Sequence, residues 1–261
     1  MNHLYIRRVR FVKFLLIFLF ICLYAAVTLS RIFTNYDSLS IHAQTTKLPQ
    51  KPDERFDTLV RDDFFAGMMG DEKRLERGMK FCEEILAKNP KHADALVWHG
   101  GGLLTRAAKA YRRGDNVQGD KLWNQGLKEM NDAVAFAPGN IGIMVGRSAT
   151  LVGLAQSGWS SYDTESRALL ESALLDYEKV YQKQKPTFAK LREHSRGELL
   201  FGLASGWSIL GEHQKARDYL KLTVKEVAGT DYETEARKWL NGKPKTVIQH
   251  DCRSCHISQS Y

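Results

Sequence analysis

The chain has 261 residues, 43% of them hydrophobic and 26% charged, which is enough to bury a core without disulfide bonds. Its formal net charge is +8, but the first 33 residues supply five basic residues and no acidic one, leaving 33 basic against 30 acidic residues beyond them. These later charges are of mixed sign and form no basic block, so the sequence predicts no nucleic-acid partner.

The first segment of the chain predicts a membrane anchor or an export signal. Residues 14–30 are seventeen consecutive uncharged residues rich in Phe, Leu and Ile, and they follow a basic segment over 1–13. This length suits a short membrane-spanning helix, and positive charge before it keeps the amino terminus in the cytoplasm. We therefore expect a transmembrane anchor or signal over 14–33, with a single pass through a bacterial inner membrane and the bulk of the chain in the periplasm.

A cleaved signal peptide is the alternative to a retained anchor. The small-residue site nearest the apolar run is Ile41-His42-Ala43, about a dozen residues past it, which is far for signal peptidase. The segment 34–54 that holds this site is polar and has no hydrophobic period, so we expect a flexible linker there. Both alternatives place the later residues outside the cytoplasm.

Residues 55–240 carry hydrophobic positions at helical spacing. Apolar residues recur three and four positions apart, and no stretch has the alternation that is typical of a strand. Gly and Pro fall between the helical stretches. The pattern predicts an all-α fold for this domain, ended by an amphipathic helix over 231–240 that covers the last hydrophobic face.

A pattern of small and large residues repeats through this domain. Its fullest copy is Leu203-Ala204-x-x-Trp207-x-x-x-Gly211-x-x-x-x-Ala216-x-x-x-Leu220. Small residues let two helices approach, large ones fill the gap to the next hairpin, and Pro ends a helix because it has no N–H. The second half of the pattern recurs at Gly78, Cys82, Ile85 and Pro90, at Gly126, Met130, Ala133 and Pro138, and at Ala173, Tyr177, Val180 and Pro186.

This pattern resembles the tetratricopeptide repeat (TPR), although its two middle copies are longer than those of the family. The resemblance implies a TPR-like stack of antiparallel helix hairpins in a right-handed superhelix, with a concave groove that binds a protein partner. On the family pattern Glu198, Phe201, Ser205 and Ser208 project into that groove. We expect the partner to belong to a respiratory or envelope complex.

The tail, residues 241–261, contains the box Cys252-Arg253-Ser254-Cys255-His256. This C-x-x-C-H spacing is the one at which c-type haem is attached, because two thiols add to the porphyrin vinyl groups and the adjacent imidazole binds the iron. We therefore expect one haem c bound covalently to Cys252 and Cys255, with His256 as the proximal iron ligand. Export would bring the box to the compartment where this attachment takes place.

Two other kinds of chemistry fit the same two cysteines. A C-x-x-C pair closes readily to a disulfide or redox-active pair in an oxidising compartment. A structural zinc site needs four ligands, and beyond the box only His250 lies close by. Only residues 257–261 follow the box in this sequence. On the haem hypothesis, the second axial ligand and the apolar pocket would therefore come from the helical domain or from a partner, or the haem would lack them.

The sequence has no Ser–His–Asp set and no metal-ligating helix motif, so we do not predict an enzyme. The leading expectation is a membrane-anchored, periplasm-facing scaffold whose groove binds a protein partner. Its tail haem would serve electron transfer or haem-dependent docking. The alternative is an assembly or adaptor protein of envelope or respiratory complexes that has no haem and carries a C-terminal disulfide.

Overall fold

A computed structural model describes residues 55–156 and 164–242. These residues confirm the all-α prediction, because they consist of helices joined by short turns. The predicted anchor over 14–33, the linker over 34–54 and the C-x-x-C-H box lie outside them. None of the helices in the described part of the chain has the length and apolar character needed to cross a membrane.

Nine α-helices and one 3₁₀ helix make up the described residues. They are α1 (Phe56–Met68), α2 (Glu72–Lys88), α3 (Ala93–Arg112), α4 (Asn116–Phe136), α5 (Ile141–Gln156), α6 (Thr164–Gln184), the 3₁₀ helix (Lys185–Lys190), α7 (Glu193–Ile209), α8 (His213–Glu226) and α9 (Asp231–Leu240). The first eight α-helices pair in chain order as four hairpins, and α9 follows the last one.

Successive hairpins pack through their first helices, α1, α3, α5 and α7. Each first helix contacts the first helix of the next hairpin. The second helix of each hairpin also packs against the first helix of the hairpin that follows. Helix α9 takes the same place against α7 and α8. The first helices are therefore enclosed, and α3 has no exposed residue from Ala93 to Tyr111.

The turns inside three hairpins are built in the same way. Gly70, Gly114 and Gly211 adopt positive φ values of 112°, 79° and 84°, which a residue with a Cβ rarely adopts. Each glycine N–H donates to the carbonyl three residues back, and the next N–H donates to the carbonyl five residues before it. This pairing satisfies carbonyls that the helix end leaves free, so each helix stops at its glycine.

The turns that follow three of the second helices, α2, α4 and α8, also repeat. They cover residues 89–92, 137–140 and 227–230, and in each the fourth N–H donates to the first carbonyl. The fourth side chain then caps the next helix: His92 Nδ1 accepts from the N–H of Ala95 at 3.2 Å, Asn140 Oδ1 from Ile143 at 3.3 Å and Thr230 Oγ1 from Glu233 at 3.4 Å. Local sequence therefore starts each of these helices at a defined residue.

Two glycines allow α3 and α4 to cross closely. A Cβ on Gly100 would lie 2.8 Å from the carbonyl oxygen of Gly126, and a Cβ on Gly126 would lie 2.8 Å from that of Gly100. Backbone atoms cannot move aside as a flexible side chain does, so any larger residue would push the two helices apart. The crossing therefore requires glycine on both helices.

We expect Gly100→Ala and Gly126→Ala each to lower the free energy of unfolding by about 2 kcal/mol, because overpacking outweighs the better helix propensity of alanine. Gly153→Ala is the matched control, since nothing lies within 4 Å of a Cβ at that position of α5. The control should raise stability by about 0.5–1 kcal/mol. Urea unfolding of the full chain in detergent measures all three, and equal effects at positions 100 and 153 would contradict the close crossing.

Candidate functional site

The residues predicted to bind haem lie outside the part of the chain that the structure describes. Cys252, Cys255 and His256 lie outside the described residues, as does His250. Within the ranges 55–156 and 164–242, no group of three or more His, Cys, Asp or Glu side chains is arranged to hold a metal ion. The haem, disulfide and zinc hypotheses for the tail remain predictions.

The four residues predicted to line a groove on α7 divide into two classes. Glu198 is exposed and Ser208 is half-buried, whereas Phe201 and Ser205 are buried. The Phe201 ring stacks on Trp239 of α9 with centroids 5.4 Å apart. Helix α9 therefore covers the ring of Phe201, which cannot contact a partner while α9 is in place. The prediction of an open groove over all four residues needs this correction.

The end of α7 that precedes Phe201 is joined to α9 by polar contacts. His194 Nε2 lies 3.6 Å from the Glu198 carboxylate, and its Nδ1 lies 3.2 Å from the hydroxyl oxygen of Tyr232. The backbone of α7 at Gly197 is also so close to the Tyr232 ring that a Cβ there would clash with it. Glu198 is therefore placed beside the junction of α7 with α9.

A buried imidazole links three helices of the first two hairpins. His99 of α3 is 6% exposed, and its Nδ1 lies 2.6 Å from Glu129 of α4. Its Nε2 lies 3.5 Å from Glu83 of α2. Gln125 donates to the other oxygen of Glu129 at 2.9 Å, which holds that carboxylate in place.

Two opposing effects act on the pKa of His99. Burial disfavours the charged imidazole, but the hydrogen bonds to and charges of Glu129 and Glu83 overcome it and raise the pKa above its ordinary value. The charged groups that act on it come from α4 and α2, and Cys82 of α2 lies close to the same carboxylates. Burial together with these charges raises the pKa of Cys82 to about 12, so its thiol stays protonated and is not a nucleophile.

A second buried network fixes α6 against its neighbours. Arg147 of α5 is 5% exposed and donates to Asn131 at 3.0 Å, to Asp176 at 3.1 Å and to Ser172 at 3.0 Å. Lys179 adds a bond to the other oxygen of Asp176 at 3.1 Å. A buried guanidinium with these partners holds one face of α6 in a single orientation.

Two open grooves lie along the second helices, on either side of α6; we call them the α6 grooves. The first, of about 670 Å³, runs between α6, the 3₁₀ helix and α8, and the second, of about 790 Å³, lies between α6 and the end of α4. Both are lined by Glu178, Gln182 and Tyr219. These volumes are in the range of ligand-binding sites.

The carboxylate of Glu178 is positioned by two aromatic donors between the grooves. Trp207 Nε1 donates to its Oε1 at 3.0 Å, and the Tyr219 hydroxyl donates to the same oxygen at 3.2 Å. Burial and this carboxylate raise the pKa of Tyr219, which keeps the phenol a donor. Lys215 Nζ lies 3.8 Å from the centroid of the Trp207 ring, a cation–π contact. The residues that line the α6 grooves can therefore bind both charged and apolar groups.

Comparison of the chain with protein families, with curated proteins and with solved structures finds no match.

The His99 cluster predicts a specific pH dependence of stability. Because the folded pKa is raised, the cluster stabilises the fold fully below the ordinary value of about 6.5, and this contribution is lost as pH rises through the folded pKa. We expect His99→Gln to lower the free energy of unfolding most at acidic pH and least at alkaline pH. Unfolding of the full chain in urea across that pH range measures the difference.

His213→Gln is the control, because His213 lies at an exposed position of α8 outside the cluster. It should leave the pH profile of stability unchanged. An NMR titration that gave the imidazole of His99 a pKa at or below 6.5 would contradict the cluster's proposed effect.

Proposed function

We propose that this protein is a membrane-anchored, periplasm-facing scaffold whose helical hairpins bind a protein partner and whose tail carries a covalent haem c. The observation that carries the scaffold part is the recurrence of both turn types with the same hydrogen bonds. Tandem hairpins joined in this way expose long surfaces that single hairpins lack, and repeat proteins use such surfaces to bind other proteins.

In its finer form the proposal is a TPR-like stack of antiparallel hairpins in a right-handed superhelix. The pairing of each first helix with the next first helix supports it. The period is longer than in that family: Gly70 and Gly114 are 44 positions apart and Asn89 and Ala137 are 48 apart, whereas the family repeats every 34 residues. The extra length is in the helices, and α4 and α6 have 21 residues each.

The haem part of the proposal rests on the donor set Cys252, Cys255 and His256. Two thiols and an adjacent imidazole supply the two thioether bonds and one iron ligand that haem c requires. When bound, the group would supply one-electron transfer. In this proposal the chain's own residues hold the haem at the end of the scaffold. The protein that docks on the scaffold would then be the electron donor or acceptor of the haem.

The alternative proposal keeps the scaffold and removes the cofactor. Cys252 and Cys255 would then form a disulfide, which the C-x-x-C spacing permits in an oxidising compartment. The protein would act as an assembly or adaptor protein of envelope or respiratory complexes. The scaffold part is common to both alternatives, so the tail cysteines alone decide between them.

The absorbance spectrum of the full chain distinguishes these alternatives. Expressed in a bacterial strain that matures cytochrome c, the protein should show covalent haem staining and a reduced Soret band after dithionite. Cys252→Ser and Cys255→Ser should remove the band, whereas Cys22→Ser, the matched loss of one thiol elsewhere, should keep it. A colourless wild-type protein whose gel mobility shifts on reduction would contradict the haem proposal and support the disulfide.

Membrane topology is tested by a reporter fused after Tyr261. An alkaline phosphatase fusion should be active, because the tail is proposed to lie in the periplasm. A fusion of the same reporter after Lys13, before the apolar run, should be inactive and serves as the control. An inactive fusion at Tyr261 beside an expressed chain would contradict both the export and the haem attachment.

A further inference from the structure

The second helices of the hairpin domain carry its open grooves. Between Ala93 and Tyr111 every residue of α3 is buried or half-buried, and on α7 Phe201 and Ser205 are buried. The α6 grooves, by contrast, are open and adjoin each other along α6. A partner that binds the domain therefore finds two open recesses along the second helices, on the side opposite to the one that the family pattern implies.

The α6 grooves have apolar floors. Tyr181 and Phe188 form an edge-to-face pair, with centroids 5.1 Å apart, in the first groove. In the second groove Leu175 is 45% exposed, and it is one of few large apolar side chains that are exposed among the described residues. Apolar surface that water can reach beside a recess favours contact with apolar side chains of a partner.

Three of the four carboxylates that line the grooves are paired with basic groups of the domain itself, including Glu226, which lies 3.8 Å from Lys225. Asp176 accepts from Arg147 and Lys179 at 3.1 Å each, and Asp218 lies 3.3 Å from Lys221. Glu178 accepts two hydrogen bonds from Trp207 and Tyr219. The three paired carboxylates are therefore occupied, and Glu178 is the one groove carboxylate without a basic partner among the described residues.

Three lysines of the grooves have no carboxylate partner among the described residues. Lys183 donates to the neutral carbonyl of Gly139 at 2.6 Å, and Lys215 lies over the Trp207 ring. Lys185 lines the first groove and makes no ion pair there. Lys183 and Lys215 are already held in place, on opposite sides of α6, so a partner does not have to order them.

We propose that the α6 grooves bind an acidic segment of the protein partner, in which Asp or Glu residues are interspersed with large apolar ones. The carboxylates of the segment contact Lys183, Lys185 and Lys215, and its apolar side chains lie on Tyr181, Phe188 and Leu175. This inference rests on the proposed scaffold function and adds the chemistry and the location of the partner. Fixed cations beside the exposed side chain of Leu175 and the nearly buried rings of Tyr181 and Phe188 match such a segment in both charge and polarity.

Fluorescence anisotropy with a labelled synthetic peptide tests this proposal. The probe contains Asp, Glu, Leu and Phe, its counterpart has Lys at every acidic position, and the protein is the full chain in detergent. The acidic peptide should bind about tenfold more tightly than the lysine peptide, and its affinity should fall as salt is added. Combined Lys183→Glu, Lys185→Glu and Lys215→Glu substitutions should weaken it by about tenfold or more.

Two further variants distinguish binding in the α6 grooves from a general effect of net charge. Combined Lys80→Glu, Lys88→Glu and Lys121→Glu substitutions change the net charge equally at exposed positions outside the grooves, and they should leave binding within about twofold of wild type. Leu175→Ser should weaken the acidic peptide without any change of charge. Circular dichroism melting confirms that each variant is folded.

The proposal is overturned if neither peptide binds, if both bind equally, or if the two triple variants weaken binding to the same extent. Failure here leaves the proposed function separately testable. If the protein shows the haem spectrum and an active reporter at Tyr261 but does not bind the acidic peptide, only the proposal for the α6 grooves is contradicted. If the protein binds the acidic peptide but is colourless, only the haem part of the proposed function is contradicted.

Discussion

A single helical hairpin of this chain cannot bury its own apolar face, and this constraint organises the domain. Three apolar clusters of the described residues each draw on more than one hairpin: the first on α1 to α3, the second on α3 to α6 and the third on α5 to α8. The last joins the hairpin of α7 and α8 to α9. Every hairpin thus completes the core of its neighbour, as in repeat proteins generally. The last hairpin has no successor among the described residues, and the short helix α9 covers it with Tyr232 and Ala236.

Polar groups at the junctions add specificity to this apolar packing. His99 lies where α2, α3 and α4 meet, Arg147 where α4, α5 and α6 meet, and Asp63 of α1 accepts hydrogen bonds from Arg74 and Arg77 of α2. A buried charge that loses its partner is strongly destabilising, whereas a paired one contributes little net stability. These pairs therefore mainly raise the free energy of alternative helix packings, because a shift along either helix would leave a charge buried without its partner.

The parts of the structure that local chemistry determines could be predicted from the sequence. Helical spacing predicted an all-α domain, and the turn glycine at 211 and the prolines at 90 and 138 fall in or beside turns. The candidate site was harder to predict. The repeat pattern could not show that α9 covers Phe201, because that contact depends on how a later helix packs.

Long-range partners left no local signal. Glu83 and Glu129 are 16 and 30 positions from His99, so no motif joins the three, and the glycines after His99 gave no sign that the imidazole was buried with them. The grooves beside α6 were missed for a related reason. A groove between second helices depends on how far apart successive hairpins hold them, whereas the sequence pattern reports which face of each helix is apolar.

The order already present in α6 decides how much a partner can gain by binding beside it. One face of α6 is held by Arg147 through Asp176, and Glu178 is held by Trp207 and Tyr219. A binding surface whose side chains are fixed in the free protein loses little conformational entropy when the complex forms, so the partner's own ordering is the main cost. Residues that stabilise the hairpin stack therefore also prepare the grooves. A change to Arg147 would act on binding through the position of α6, and a change to Trp207 would also release Lys215, which lies over its ring.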